Sequence, residues 1–309
     1  MCPAVPTTMF FILVPILLPA QTATFRAGVT AVNVDVAVSD SAGRTISGLT
    51  RNDFEVFDAG APQKITYFEH ESDPLDILLL LDVSGSMHRS LLELASTARA
   101  ALRPLGSGDR VAVMLFARTA ALRQPFTSDF DAVQREIRTA VERTDDLGTG
   151  TAINAAIVAA AAQIGREGSK ARRAILIVTD NLSLNYRLSD EQVLRELYAV
   201  DATLNAILIG KQRRPVPPKP GAYVNTDFTP SDVFKLAEQT GGEALESRKA
   251  GETFPLIIER IRSRYRMQYD APSATPGAFR PIKVQLAPAA RNHHATAVIR
   301  ARAGYYAPE

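Results

Sequence analysis

Between residues 73 and 264 a short apolar run is followed by a stretch of helical spacing, again and again, and this alternation constrains the fold more than any other feature. The apolar runs are Ile77–Leu81, Asp109–Ala117, Arg173–Asp180 and Ala202–Gly210. They are short and dominated by Ile, Leu, Val and Ala, as strands covered on both faces must be. Helical spacing falls at Ser90–Leu105, Phe130–Arg143, Thr151–Ile164, Asp190–Tyr198 and Thr253–Ser263. A further helix opens on a capping residue at Ser231 and stops at the glycine pair Gly241 and Gly242. The pattern predicts an α/β fold: a doubly wound, mostly parallel sheet with helices on both faces.

The flanks read differently. Val29–Ser39 alternates apolar and polar residues strictly, the signal of a half-buried strand, and Asp40–Gly43 is a turn. A strand pair is expected across Asp53–His70, turning at "DAGAP". After Arg264, three strand candidates follow: Tyr265–Asp270, Phe279–Pro288 and Ala295–Pro308. Neither β piece can bury a core alone. The expected organisation is therefore one β-sandwich built from residues 24–72 and 265–309, with the α/β domain of residues 73–264 inserted between them.

Met9–Ala20 is apolar throughout but too short to span a bilayer comfortably. Residues 1–23 are read as a signal peptide cleaved near Ala20–Ala23, giving a secreted or periplasmic protein. No Lys or Arg precedes the run. An uncleaved anchor is the alternative, and the only membrane contact would then be through this segment. Cys2 is the single cysteine and lies before the run, not after it, which argues against lipid attachment. No disulfide within the chain and no thiolate metal site can form, a composition suited to an oxidising compartment. The formal net charge of +2 gives no basic surplus of the kind a nucleic-acid binder carries.

In open parallel sheets, ligands sit beyond the carboxyl ends of the strands. Asp82 directly follows one apolar run, in "LDVSGSM", and Asp180 closes another. Thr151 lies in "GTGTAIN", a glycine-containing loop that opens a helix. Three loops on one edge therefore collect Asp82, Ser84, Ser86, Thr151 and Asp180. All five side chains end in oxygen, a set suited to a hard cation such as Mg²⁺, with Mn²⁺ or Ca²⁺ as alternatives, and not to zinc or copper. Ser84 and Ser86 are two apart in a turn, so both hydroxyls can face one ion while Val83 faces away. Two carboxylates offset a dication and the hydroxyls add no charge.

The D-x-S-x-S sequence from Asp82 to Ser86, with Thr151 and Asp180 following in order, resembles the metal-ion-dependent adhesion site of von Willebrand factor A-type domains, whose sheet is Rossmann-like. The resemblance covers Asp73 to Arg264. "LTRNDFEVFDAGAPQKITYFEH" and "RARAGYYAP" on the flanks are similar to a group of exported bacterial proteins described as VWFA-related. The resemblance implies Ser84 and Ser86 as direct ligands, Thr151 direct or through water, and Asp82 and Asp180 mainly through water. It also implies a protein partner whose Asp or Glu completes the shell. Asn181 departs from the pattern, since many relatives have Gly there. Asn tolerates left-handed backbone, so little harm is expected.

Blander readings compete. Asp82, Ser84 or Ser86 alone could cap the following helix, but that does not account for all five residues. A serine hydrolase would need Gly two residues before its nucleophile, whereas Ser84 has Asp82 there and Ser86 has Ser84. Candidate bases are limited to His70, His88, His293 and His294, with His88 nearest. Asp82 as a phosphoryl acceptor lacks a second Asp two residues on. "GTGTAIN" lacks the Gly-Lys-Ser/Thr ending of a P-loop. His293 and His294, read as neighbours on a strand, would point to opposite faces. The basic, Pro-rich Lys211–Gly221 and the arginines at 260, 262, 264 and 266 are read as solvated. The expectation is an exported, metal-dependent protein-binding module and not an enzyme. A metal- or serine-dependent hydrolase, or a structural envelope protein with a vestigial site, stands as the alternative.

Overall fold

The computed structural model describes residues 31–70, 73–140, 142, 147–167, 169–183, 188–210, 221 and 231–308. The expected signal peptide and nearly all of the basic, Pro-rich stretch lie outside these residues.

Four strands come first: β1 (Ala31–Ser39), β2 (Phe54–Asp58), β3 (Ala61–Gln63) and β4 (Tyr67–His70). The α/β region follows with β5 (Leu75–Asp82), α1 (His88–Ala101), β6 (Arg110–Phe116), β7 (Ala120–Thr127), α2 (Phe130–Ala140) and α3 (Ile153–Arg166). It continues with β8 (Arg172–Thr179), α4 (Asp190–Ala199), β9 (Ala202–Ile209), α5 (Val233–Gln239), β10 (Ala244–Ser247) and α6 (Ala250–Arg262). The chain returns through β11 (Tyr265–Asp270), β12 (Phe279–Leu286), α7 (Pro288–His293), β13 (Val298–Arg300) and β14 (Gly304–Tyr306).

The central sheet has the order β10-β9-β8-β5-β6-β7 and is parallel except for β7, which runs antiparallel to β6. Every residue of β5 is buried. Its side chains alternate between the two faces: Ile77, Leu79 and Leu81 pack with α1, α2 and α6, and Leu78 and Leu80 with α3, α4 and α5. This double cover is why the run carries no polar alternation. The doubly wound expectation holds.

The flanking strands form two four-stranded sheets, β13-β1-β11-β4 and β14-β12-β2-β3, and each sheet mixes strands from both chain ends. They share one core, in which Val34, Val36 and Met267 meet Phe54, Val56 and Leu286. Ala59 (φ 48°) and Gly60 (φ 84°) make the two-residue β2–β3 hairpin loop, where positive φ at both positions matches the strand twist. Under that hairpin, buried Asp58 accepts hydrogen bonds from Tyr269 Oη (2.8 Å), Tyr305 Oη (2.9 Å) and Arg280 Nε (2.7 Å).

Some expectations are corrected. β7 and β10 are strands that carry no apolar run: β7 is a half-buried edge with Pro125, and β10 is four residues long. The turn into β10 requires glycine, because a Cβ on Gly242 would lie 1.7 Å from the Leu204 carbonyl oxygen. His293 and His294 end the short helix α7 and do not lie on a strand; Pro288 at its first turn starts a helix readily. The last strand candidate is divided into β13 and β14.

The four arginines are not a solvated face. Arg264 is 3% exposed, and the Arg260, Arg262 and Arg266 side chains keep 19%, 16% and 12% of their exposure. They line the junction where the sandwich meets the α/β region. Arg264 donates to the Gly241 carbonyl (2.6 Å), and Arg172 donates to the carbonyls of Arg262 (2.8 Å) and Arg264 (3.3 Å). Arg302 pairs with Asp201. Arg172 opens β8 and Asp201 precedes β9, so the sandwich docks at the amino-terminal edge of the parallel sheet. The carboxyl-terminal edge is left uncovered by it.

Candidate metal centre

Within the central sheet, the chain builds outward from β5 in one direction through β6 and β7 and in the other through β8, β9 and β10. The crevice where the winding reverses therefore lies between the carboxyl ends of β5 and β8, the place where open α/β sheets hold ligands. Asp82 is the last residue of β5, and Asp180 directly follows β8.

The two strand ends are stitched together. Thr179 Oγ1 donates to Asp82 Oδ2 (2.7 Å). Asp82 Oδ1 accepts the Ser84 backbone N–H (2.9 Å), closing the turn that carries both serines. Ser84 Oγ and Ser86 Oγ are 3.3 Å apart, and Ser86 Oγ donates to Asp180 Oδ2 (2.6 Å). Asp180 Oδ1 accepts the Leu182 N–H (3.1 Å). Asn181 adopts φ 57°, the left-handed backbone for which Asn is suited. Val83 is buried and faces the core with α1.

Thr151 is 6% exposed and lies on a loop laced to the end of β6: the Ala152 N–H donates to the Ala117 carbonyl (2.8 Å) and Thr119 N–H to that of Leu147 (3.1 Å). Phe116 pairs with Asp82 across β5 and β6, so Thr151 reaches the same edge. Among the described residues, no hydrogen bond joins its hydroxyl to the other four side chains. Asp82, Ser84, Ser86 and Asp180 are thus connected directly or through Thr179, and Thr151 is brought alongside by its loop.

Burial grades across the centre. Asp82 is 0% and Asp180 9% exposed, Ser84 is half-buried, and Ser86 is exposed. Burial pushes the Asp82 carboxyl above its ordinary value, against the hydrogen bonds from Thr179 and Ser84, and the neighbouring Asp180 charge pushes the same way. Among the described residues, no cationic side chain forms an ion pair with Asp82 or Asp180.

The donor set fits a hard dication. An octahedral ion with oxygens at about 2.1 Å sets neighbouring ligands about 3 Å apart, close to the 3.3 Å between the serine hydroxyls. Among the described residues there is no cluster of three His, Cys, Asp or Glu side chains, since hydroxyls supply much of this donor set.

Thr179 and Asn154 escaped the sequence reading. Thr179 ends a β-branched run and reads as a strand former, although a hydroxyl directly before Asp180 was a signal. Asn154 lies within the quoted "GTGTAIN" but contributes through contacts that sequence does not show.

The fold and the oxygen-lined edge define an α/β open-sheet domain with an oxygen-lined crevice at its switch point. Residues 77–182 match the family model of the von Willebrand factor type A domain. No curated protein matches the chain. Solved structures similar to it include an aerotolerance-related membrane protein from Bacteroides fragilis, at 19% identity, TM-score 0.46, covering 60% of this chain and 98% of that one. BatB from Bacteroides thetaiotaomicron is similar at 18% identity, TM-score 0.45, covering 60% and 97%. Proximal thread matrix protein 1 of the mussel byssus, in a form with a zinc-occupied MIDAS motif, is similar at 14% identity and TM-score 0.48. That match covers 68% of this chain and 50% of the mussel protein.

Proposed function

We propose that this protein is an exported, metal-dependent binding module of the adhesion type, whose partner is a protein offering an Asp or Glu side chain. The observation that carries the reading is the pair of buried carboxylates, Asp82 and Asp180, with no cationic side chain beside them among the described residues. Buried charges are paired or hold metals.

Ser84 and Ser86 would ligate the ion through their hydroxyls, Thr151 would add a third hydroxyl, and Asp82 and Asp180 would balance its charge from behind. Mg²⁺ is the expected ion, with Mn²⁺ or Ca²⁺ as alternatives. Bound there, the ion supplies an electrophilic position for a partner's carboxylate. The residues of the chain orient that position: Asp82 holds the serine turn through Ser84 N–H, and Thr179 holds Asp82. The exposed end of the hydroxyl row faces solvent, where a partner arrives.

The reading is not enzymatic. Ser86 Oγ donates to the Asp180 carboxylate, which the reading assigns to balancing the ion, and among the described residues no imidazole is hydrogen-bonded to it. The test is capture of partners from an envelope fraction by wild type and Asp82→Ala, with and without chelator. Capture lost in the variant and in chelator supports the reading, whereas capture indifferent to both overturns it. Turnover of an ester or peptide substrate that depends on Ser86 would overturn the non-enzymatic part.

A further inference from the structure

Asn154 is fully buried in the first turn of α3, three residues after Thr151. Its Nδ2 donates to the Leu188 carbonyl (2.8 Å) and to Asp190 Oδ1 (3.1 Å), and its Oδ1 accepts from Ser231 Oγ (2.7 Å). Ser231 Oγ is 3.5 Å from Ser183 Oγ, and Asp190 Oδ2 accepts the Asp232 N–H (3.2 Å). One amide thus ties together three segments on the carboxyl-terminal edge. These are the Thr151 loop, the connection from Asp180 to α4, and the end of the connection from β9 to α5.

We propose that Asn154 is the positioning residue of the metal centre: it fixes the Thr151 loop relative to the Asp180 segment and to the start of α5. The inference rests on the metal-binding reading above. Thr151 itself forms no hydrogen bond to the other four site side chains among the described residues, so its place relative to Asp180 depends on what holds its loop. The Ala117 carbonyl holds that loop on the β6 side, and Asn154 holds it on the β8 side. The amide uses both its donors and its acceptor, so a side chain lacking either cannot bridge all three segments.

Asn205 supplies a control of matched chemistry. It is 1% exposed, lies on β9, and its Oδ1 accepts from the Glu243 N–H (3.1 Å) and Arg264 Nη2 (3.3 Å) on the opposite edge of the sheet. Removing either asparagine leaves buried polar groups unpaired, but only Asn154 serves the metal edge.

The experiment is Mn²⁺ titration calorimetry on the full chain at a temperature where each variant is folded, paired with hydrogen exchange in the absence of metal. Asn154→Ala is expected to weaken Mn²⁺ binding about 10- to 100-fold, the usual effect of losing an outer hydrogen bond to a metal site. Asn205→Ala is expected to leave binding within about twofold, since distant sites act independently. Without metal, the Leu182, Val193 and Lys235 amides exchange faster in Asn154→Ala than in Asn205→Ala. Asn154→Asp alone faces the Asp190 carboxylate and also weakens binding. The double variant Asn154→Asp with Asp190→Asn restores a donor–acceptor pair and recovers part of the affinity, which a purely structural role does not predict. Wild type that binds Mn²⁺, with Asn154→Ala binding equally well or Asn205→Ala losing as much, overturns the inference alone. Wild type that binds no Mn²⁺ overturns the metal reading beneath it.

Discussion

The two edges of the central sheet treat buried charge in opposite ways. At the amino-terminal edge and in the sandwich, carboxylates meet guanidinium groups: Asp76 with Arg110 (2.7 Å), Asp109 with Arg262 (3.1 Å), Asp58 with Arg280 (2.6 Å), and Asp201 with Arg302. At the carboxyl-terminal edge Asp82 and Asp180 meet, among the described residues, only hydroxyls and backbone amides. The first arrangement is complete in itself and joins the sandwich to the α/β region. The second carries negative charge that its own hydrogen bonds do not neutralise.

The largest expected effect tests the closed side. Asp58→Ala strands Arg280 and two tyrosine hydroxyls, and the loss of one partner of a buried ion pair costs about 3–5 kcal/mol. Urea unfolding measures it. Next in size is the open side filled. Mn²⁺ at about 100 times its dissociation constant should raise unfolding free energy by about 2.7 kcal/mol. Ser84→Ala should abolish that increment while melting near wild type without metal, as thermal unfolding with and without chelator will show.

A smaller effect comes from pH at the arginine edge. Tyr198 donates to the Gln239 carbonyl (2.8 Å), and burial pushes its hydroxyl up to about 12, with Arg302 acting the other way. An unfolded tyrosine loses its proton near 10.0. Between these values the unfolded chain releases a proton that the native state keeps. Stability is therefore fully present below pH 10 and falls as pH rises toward 12. Tyr198→Phe should flatten that slope in alkaline unfolding curves.

Asp82→Asn sharpens the comparison further. In chelator it removes an unbalanced buried charge and keeps an acceptor for Ser84, so stability should stay within about 1 kcal/mol of wild type. A loss as large as that of Asp58→Ala would mean that the chain itself balances Asp82, and the distinction between the edges would fail. Smallest of all, Asn181→Gly should change stability by no more than about 0.5 kcal/mol, because both residues accept left-handed backbone.

Much of this was legible in sequence because it followed from local period and from residue type. The run Ile77–Leu81 needed cover on both faces, and the strict alternation from Val32 to Val38 needed cover on one. Asp82, Ser84 and Ser86 lie close in sequence on one turn, so their grouping was visible at once. β7 and β10 were not legible because pairing at a sheet edge defines them, not an apolar run. The arginines near 264 read as solvated because their partners, the Gly241 carbonyl and Glu243, lie about twenty residues away on another element.

By itself, then, the sequence determined the alternating architecture, the joining of both chain ends into one sandwich, and the oxygen-bearing residues that reach the sheet edge. These depend on hydrophobic period and on which residues follow a strand, both local properties of the chain. Tertiary structure alone decided that the sandwich closes the edge opposite the site. It also decided that Thr179 and Asn154 hydrogen-bond across the loops of the other edge, and that, among the described residues, arginines pair with carboxylates at one edge and not at the other. Those outcomes arise from contacts between residues far apart in the chain, whose distances no local pattern encodes.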